Sequence, residues 1–241
     1  MTEQSSSRCV AITGGAGGIG QAIAAHLERL GRRVYVLDRE GAQTRTGVFV
    51  PCDVLDRDSV DAAVETVYQD DPGPIDLICA AGIVEDDVAA EDLPEDLVHR
   101  VMGVNFHGTF SACQAFGRRL LDHGTGSIVL ISSMSGNLVV NYPQRQSIYN
   151  SSKAAVTALA KSLAVEWGPR GVRVNALSPG YVDTPLNSLK AHMHEGWRAG
   201  TVLGRFASTQ EIADAAEFLL SDRASYCTGT ELVVDGGYSL R

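Results

Sequence analysis

Cys9-Val10-Ala11-Ile12-Thr13 followed by Gly14-Gly15-Ala16-Gly17-Gly18-Ile19-Gly20 is the stretch that decides the fold of this 241-residue chain. The first five residues read as a short apolar strand, and a helical stripe of Ile19, Ile23, Leu27 and Leu30, stopped by Gly31, follows the glycines. A glycine loop between a strand and a helix has a physical use. Gly14, Gly18 and Gly20 permit a tight turn and a close backbone approach. The helix N-terminus at Ile19 then offers free N–H groups and a partial positive charge to a pyrophosphate. The spacing is Thr-Gly-x-x-x-Gly-x-Gly, and its position after the first strand is the context in which such a loop cradles a dinucleotide.

Working outward, Val34–Asp38 reads as a second strand, and Asp38 stands 18 residues beyond Gly20. A carboxylate about 20 residues past the loop receives the adenosine ribose hydroxyls and repels a 2′-phosphate. The cofactor expected is therefore NAD(H), with Arg39 as the group that could accept that phosphate by swinging inward. A third strand spans 47–53, with Pro51 placing its end early or off-centre. The link between these two strands is too short for a full crossover helix. Asp53-Val54 either rests against an adenine edge or caps a turn. Ser59 is expected to start a helix, Ile75–Ala80 a fourth strand, and Pro94 to Leu121 a long helix closed by His123-Gly124. Strands at Ser127–Ile131, Val172–Ser178 and Glu231–Asp235 follow, with a helix opened by the capping box Ser208–Glu211 before the last. Strands alternating with helices predict an α/β Rossmann fold: one doubly wound parallel sheet of about seven strands with helices on both faces. The expected layout is a flexible arm over 1–7, a single domain over 8–241, and an irregular lid over 184–205.

A second constellation lies between Ile131 and Lys153. Ser133 sits at the C-terminal mouth of the fifth strand, where an open α/β sheet places its ligand. Tyr149 and Lys153 are four apart on a helical pattern, so they share one face. A phenol with a pKa near ~10 is a poor base at neutral pH, and an adjacent ammonium is expected to lower it. Such a pair can exchange a proton with an alcohol or carbonyl.

Composition excludes several classes. A net charge of −9 argues against a nucleic-acid or anionic-membrane surface. No apolar run approaches the ~20 residues of a membrane span, and the polar start lacks a signal core. Five scattered cysteines, Cys9, Cys52, Cys79, Cys113 and Cys227, suit a reducing cytoplasm and show no metal spacing. His192 and His194, two apart with no third ligand, are read as lid surface or substrate contacts, so no metal is expected.

Together Thr13-Gly14-x-x-x-Gly18-x-Gly20, Asn105, Ser133, Tyr149-x-x-x-Lys153 and Pro179-Gly180 resemble the short-chain dehydrogenase/reductase family over essentially the whole chain. The resemblance implies a homotetramer with Asn105, Ser133, Tyr149 and Lys153 as a catalytic tetrad. In it, Tyr149 is the general acid/base, Ser133 holds the reacting oxygen, and Lys153 binds the nicotinamide ribose. Asn105, in a helix that bends there, holds a water. It also implies cofactor contacts from Ile19, Ala80, Ala81, Gly82, Pro179, Gly180, Val182 and Thr184. Cys79 departs from the family, standing where an asparagine stabilises the sheet centre, so some local hydrogen bonding is expected to be lost. The Ser133-to-Tyr149 interval is longer than is common in the family, which leaves Ser132 as a rival to Ser133. That longer loop resembles the polyol and sugar-alcohol branch. Ser135, Asn141, Gln144 and Gln146 then offer partners for several substrate hydroxyls, or else face solvent. The activity expected is interconversion of a secondary alcohol and a ketone. The rivals are a 3-oxoacyl-thioester or hydrophobic-ketone reductase and an inactive nucleotide-binding relative.

Overall fold

The computed structural model describes residues 8–85, 87–141, 143–185 and 191–241. The expected arm over 1–7 and residues 186–190 of the expected lid lie outside the described residues.

Seven strands form one parallel sheet among the described residues: β1 (Val10–Thr13), β2 (Val34–Asp38), β3 (Val48–Pro51), β4 (Asp76–Cys79), β5 (Gly126–Ile131), β6 (Val172–Pro179) and β7 (Glu231–Val234). Their spatial order is β3-β2-β1-β4-β5-β6-β7. The order reverses between β1 and β4, and the crevice at their carboxyl ends is where such sheets take a ligand. β3 lies at the sheet edge, which is where Pro51 is tolerated. Residues 39–47, between β2 and β3, hold turns and no helix.

Strand alternation divides the core into two layers. Ala11, Tyr35, Leu37 and Leu77 pack under α2 (Arg57–Asp70), α4 (Thr109–His123) and α5 (Ser147–Trp167). Val10, Ile12, Val34, Val36 and Ile78 face the other way, onto α1 (Gly18–Arg29) and α7 (Thr209–Leu220). Both faces are covered, so β1, β4 and β5 are buried at every position. At the amino end of β4 the fully buried Asp76 carboxylate accepts from Arg32 Nη2 (2.6 Å), Arg8 Nε (3.1 Å) and Ser127 N (2.8 Å).

Some elements start or break elsewhere than the sequence suggests. Asp56, not Ser59, caps α2: its carboxylate accepts from Asp58 N, while Ser59 Oγ accepts from Asp53 N. Either residue is a good cap, and only the chain path decides. The long helix from Pro94 is two helices. Pro94 is the cap of α3 (Glu95–Met102), and a π-turn over Gly103–Gly108 separates it from α4. The capping box forms as expected, with Ser208 Oγ accepting from Glu211 N and Glu211 Oε2 accepting from Ser208 N.

Candidate active site

The glycine loop turns on Gly14, whose φ is +66° and whose added Cβ would stand 2.5 Å from Ala81 Cα. A side chain there would push apart the loops after β1 and β4. On Gly20 a Cβ would meet the Gly14 carbonyl oxygen at 2.3 Å, so the glycine lets α1 start against the loop. Gly17, the α1 cap, has no capping side chain, so the first-turn N–H groups are left to other acceptors. Asp38 closes the end of β2, with Oδ2 accepting from Ala16 N (3.0 Å) and Oδ1 from Arg39 N (2.8 Å). Arg39 itself is exposed. Asp53 forms a turn, Oδ1 accepting from Leu55 N, and Val54 packs against Gly108. A glycine cradle, a bare helix start and a carboxylate at the end of β2 fit a dinucleotide.

One cleft at the carboxyl ends of β4, β5 and β6 brings most of the remaining candidates together. Ile19, Ala80, Gly82, Ser133, Ser135, Tyr149, Lys153, Pro179, Gly180, Val182 and Thr184 line it, as do Asn141, Gln144 and Gln146. Gly14, Gly18, Gly20, Asp38, Asp53, Val54, Ala81 and Asn105 are not on its walls. Gly18 nonetheless stands against Thr184, where an added Cβ would be 3.3 Å away. Ile83, Val84 and Met134 also line the cleft and carry no motif that marks them.

The two adjacent serines are separated by their bonds. Ser132 Oγ donates to the Lys153 carbonyl (2.8 Å) and pairs with Thr157 Oγ1 (2.7 Å), so it fastens α5 to β5. Ser133 Oγ instead pairs with Ser135 Oγ and accepts from Ser135 N, both at 3.2 Å, on the cleft side. Asn105 sits in the π-turn, a widened turn that recurs at functional sites. Its Oδ1 accepts from Ile83 N (2.8 Å), and its Nδ2 donates to Ile83 O and Ser152 Oγ (2.9 Å each). Asn105 thus ties the loop after β4 to α5. One lone pair of Oδ1 remains for another donor.

Lys153 shares the Tyr149 face, as the four-residue spacing suggests, but the phenol is not lowered as expected. Its Nζ donates to the Ile131 carbonyl (2.8 Å) and stands 5.8 Å from the Tyr149 ring centroid. Burial, the dominant cause, pulls Lys153 down to about 8 from its ordinary 10.5. Tyr149 is pushed above the ordinary phenol value. Burial is the main cause, a hydrogen bond with Ser133 pulls the other way, and the Glu85 carboxylate adds to the rise. Desolvation therefore outweighs the Ser133 bond at the phenol.

Asn141, Gln144 and Gln146 do not face solvent: each is at most 9% exposed. Tyr181 links two of them, its OH donating to Gln144 Oε1 (3.0 Å) and accepting from Asn141 Nδ2 (3.4 Å). Among the described residues, Asn141 Oδ1 is buried with no hydrogen-bond partner. Beneath them Tyr181 stacks on Trp197 of α6 (His194–Gly200), centroids 4.2 Å apart, which seats the described part of the lid on the β6 loop. His194 packs on Trp197 and Phe206. Cys79 Sγ lies 4.0 Å from both Thr109 O and Cys113 Sγ, a soft contact in place of the expected asparagine bonding.

Among the described residues, no helix is long and apolar enough to cross a membrane. Residues 14–239 match a family described as enoyl-(acyl carrier protein) reductase. A galactitol 2-dehydrogenase (L-tagatose-forming) of Cereibacter sphaeroides is 41% identical, with 96% of this chain and 95% of that protein aligned. A sorbose reductase of Schizosaccharomyces pombe is 36% identical, with 95% of each covered. A crystal structure of a short-chain type dehydrogenase/reductase from Mycobacterium marinum superposes with a TM-score of 0.91 at 35% identity, covering 97% of this chain and 96% of that one. Likeness of this extent, in sequence and in backbone, makes the chain a member of the short-chain dehydrogenase/reductase family, whose cofactor is a nicotinamide dinucleotide.

Proposed function

We propose that the chain interconverts a secondary hydroxyl of a polyol or sugar alcohol and the corresponding ketone, with NAD(H). The bound nicotinamide would accept or give the hydride. The chain's own residues supply placement and the proton. Ser133 Oγ donates to the reacting oxygen and holds it beside the Tyr149 hydroxyl. A buried phenol with a raised pKa is protonated near neutral pH and so carries the proton that a ketone takes up on reduction. Alcohol oxidation needs that phenol to lose its proton first, so oxidation speeds up with rising pH. Lys153 orients the nicotinamide ribose. The free lone pair of Asn105 accepts from a water that connects the site to solvent.

The observation that carries the polyol reading is the buried group of Asn141, Gln144 and Tyr181 on the cleft wall, with Asn141 Oδ1 unmatched. An unmatched buried acceptor costs about 1–3 kcal/mol, which a substrate hydroxyl recovers and an apolar ketone does not. The galactitol and sorbose relatives support the same class. Asp38 at the end of β2 supports NAD(H). Exposed Phe110 on α4 and Val165 on α5 support burial against further copies in a homotetramer. Five free cysteines support a cytoplasmic setting.

The test is cofactor reduction over galactitol, D-arabinitol, D-threitol, sorbitol and simple secondary alcohols, with NAD and NADP in parallel. Turnover of a sugar alcohol with NAD is expected. Turnover confined to NADP with apolar or acyl substrates would mean that Arg39 overrides Asp38 and would overturn the polyol assignment.

A further inference from the structure

A buried carboxylate stands behind the candidate tyrosine with no part in the scheme above. Glu85 is 1% exposed, in the loop after β4 that also carries Ala80, Ala81 and Gly82. Its Oε1 accepts from Ile148 N (3.0 Å) and Tyr149 N (3.2 Å), and its Oε2 from Tyr149 N (3.0 Å). Those are first-turn N–H groups of α5, and its own cap residue, Gln146, makes no capping bond. Glu85 therefore does from 63 residues away what a helix cap does locally, and it does so at the residue that bears the phenol.

We propose that Glu85 is a positioning residue for Tyr149, its carboxylate clamping the first turn of α5 to the cofactor-side loop so that the phenol is held against Ser133. The inference rests on the assignment of Tyr149 as acid/base. Two further contacts make the clamp a joint between two segments. Asn105 grips Ile83 in the same loop and Ser152 one turn along α5. Asp87, exposed, accepts from Arg145 N just before the helix. Any displacement of the loop is thereby passed to the helix turn that carries the reacting group.

The clamp also has an electrostatic consequence. Among the described residues, the titratable and polar groups acting on Tyr149 are Glu85 from the loop after β4, Ser133 from the loop after β5, and Lys153 from the next turn of α5. Of these, the Glu85 charge disfavours the phenolate. A neutral residue of the same shape should ease ionisation even as it loosens the turn.

The experiment compares Glu85→Gln, Glu85→Ala and Asp87→Asn with the parent protein. It reads the pH profile of kcat/KM for NAD reduction by galactitol, or by D-threitol if that is faster. NADH binding by fluorescence and thermal unfolding run alongside. The expected result is an inflection moved to lower pH in Glu85→Gln, whose amide keeps an acceptor for the α5 N–H groups but not the charge. A roughly tenfold or greater fall in kcat is expected in Glu85→Ala, with NADH affinity kept. Unmoved inflections in Glu85→Gln overturn the proposal, whatever the stability readout. Should Glu85→Ala not fold, the Glu85→Gln profile decides alone. Tyr149→Phe separates the two levels. If it is inactive while both Glu85 variants match the parent, the clamp is wrong and the acid/base assignment stands. If Tyr149→Phe is active, the assignment beneath the clamp is wrong.

Discussion

Replacing Lys153 with methionine removes a buried ammonium while keeping most of the chain's length and apolar stem. Lys153 is 5% exposed, and burial sets its pKa at about 8 against 10.5 when unfolded. Between those values the folded state binds fewer protons than the unfolded one, so stability rises with pH across that window. A gap of about 2.5 pH units corresponds to about 3 kcal/mol of destabilisation at neutral pH. Integrating the same two pKa values, about 2 kcal/mol of that is regained between pH 7 and 9.5. Buried thiols and phenols pull the other way above pH 9. Cys52, for example, is raised to about 12 by burial and loses stability as pH climbs past its unfolded value. The difference between parent and Lys153→Met isolates the lysine. Urea unfolding of both proteins at pH 7.0, 8.0, 9.0 and 9.5 is the assay. Relative to the parent the variant should lose about 2 kcal/mol between pH 7 and pH 9.5, on top of a pH-independent cost for the Ile131 carbonyl left unpaired. Parallel stability curves would show that the ammonium is not held at a desolvation cost, and the reasoning about Lys153 would fail.

Two other outcomes follow from single carboxylates. Asp38→Ser removes the charge at the end of β2 together with its bond to Ala16 N. It should raise the KM for NAD roughly tenfold and bring NADP closer to parity, as measured by initial rates with both cofactors. Asp76→Asn leaves Arg32 buried beside a neutral amide and should cost about 3 kcal/mol or more in urea unfolding, with the cofactor KM unchanged in the protein that remains folded.

What the sequence made legible is what its local chemistry encodes. The glycine loop and the Ser208–Glu211 capping box depend on residues within a few positions of one another, and Asp38 on a fixed distance past the loop, so spacing alone locates them. The off-centre place of β3 followed from Pro51 in the same way. Contacts made across the fold were not legible. Glu85 reads as one acid in an acidic run, and its bonds to Ile148 and Tyr149 exist only once the loop after β4 meets the start of α5. The direction of the Tyr149 shift was misjudged for a related reason. Four-residue spacing puts Lys153 on the correct face, yet cannot show that its ammonium is bound to the Ile131 carbonyl. A bend at Asn105 was implied by family resemblance, and its form, a π-turn, was not legible, because a single widened turn barely disturbs an apolar stripe. Ser132 and Ser133 became distinguishable only through Thr157 and Ser135, their partners in space.

In the proposed reaction the Tyr149 hydroxyl exchanges the substrate proton, in a site that binds the dinucleotide without it. The most direct test of that role is Tyr149→Phe, assayed for sugar-alcohol oxidation with NAD at pH 9 and, separately, for NADH binding by fluorescence. The variant should lose about 10²–10⁴-fold in kcat with NADH affinity within about threefold of the parent. A variant that keeps most of the parent's turnover would contradict it.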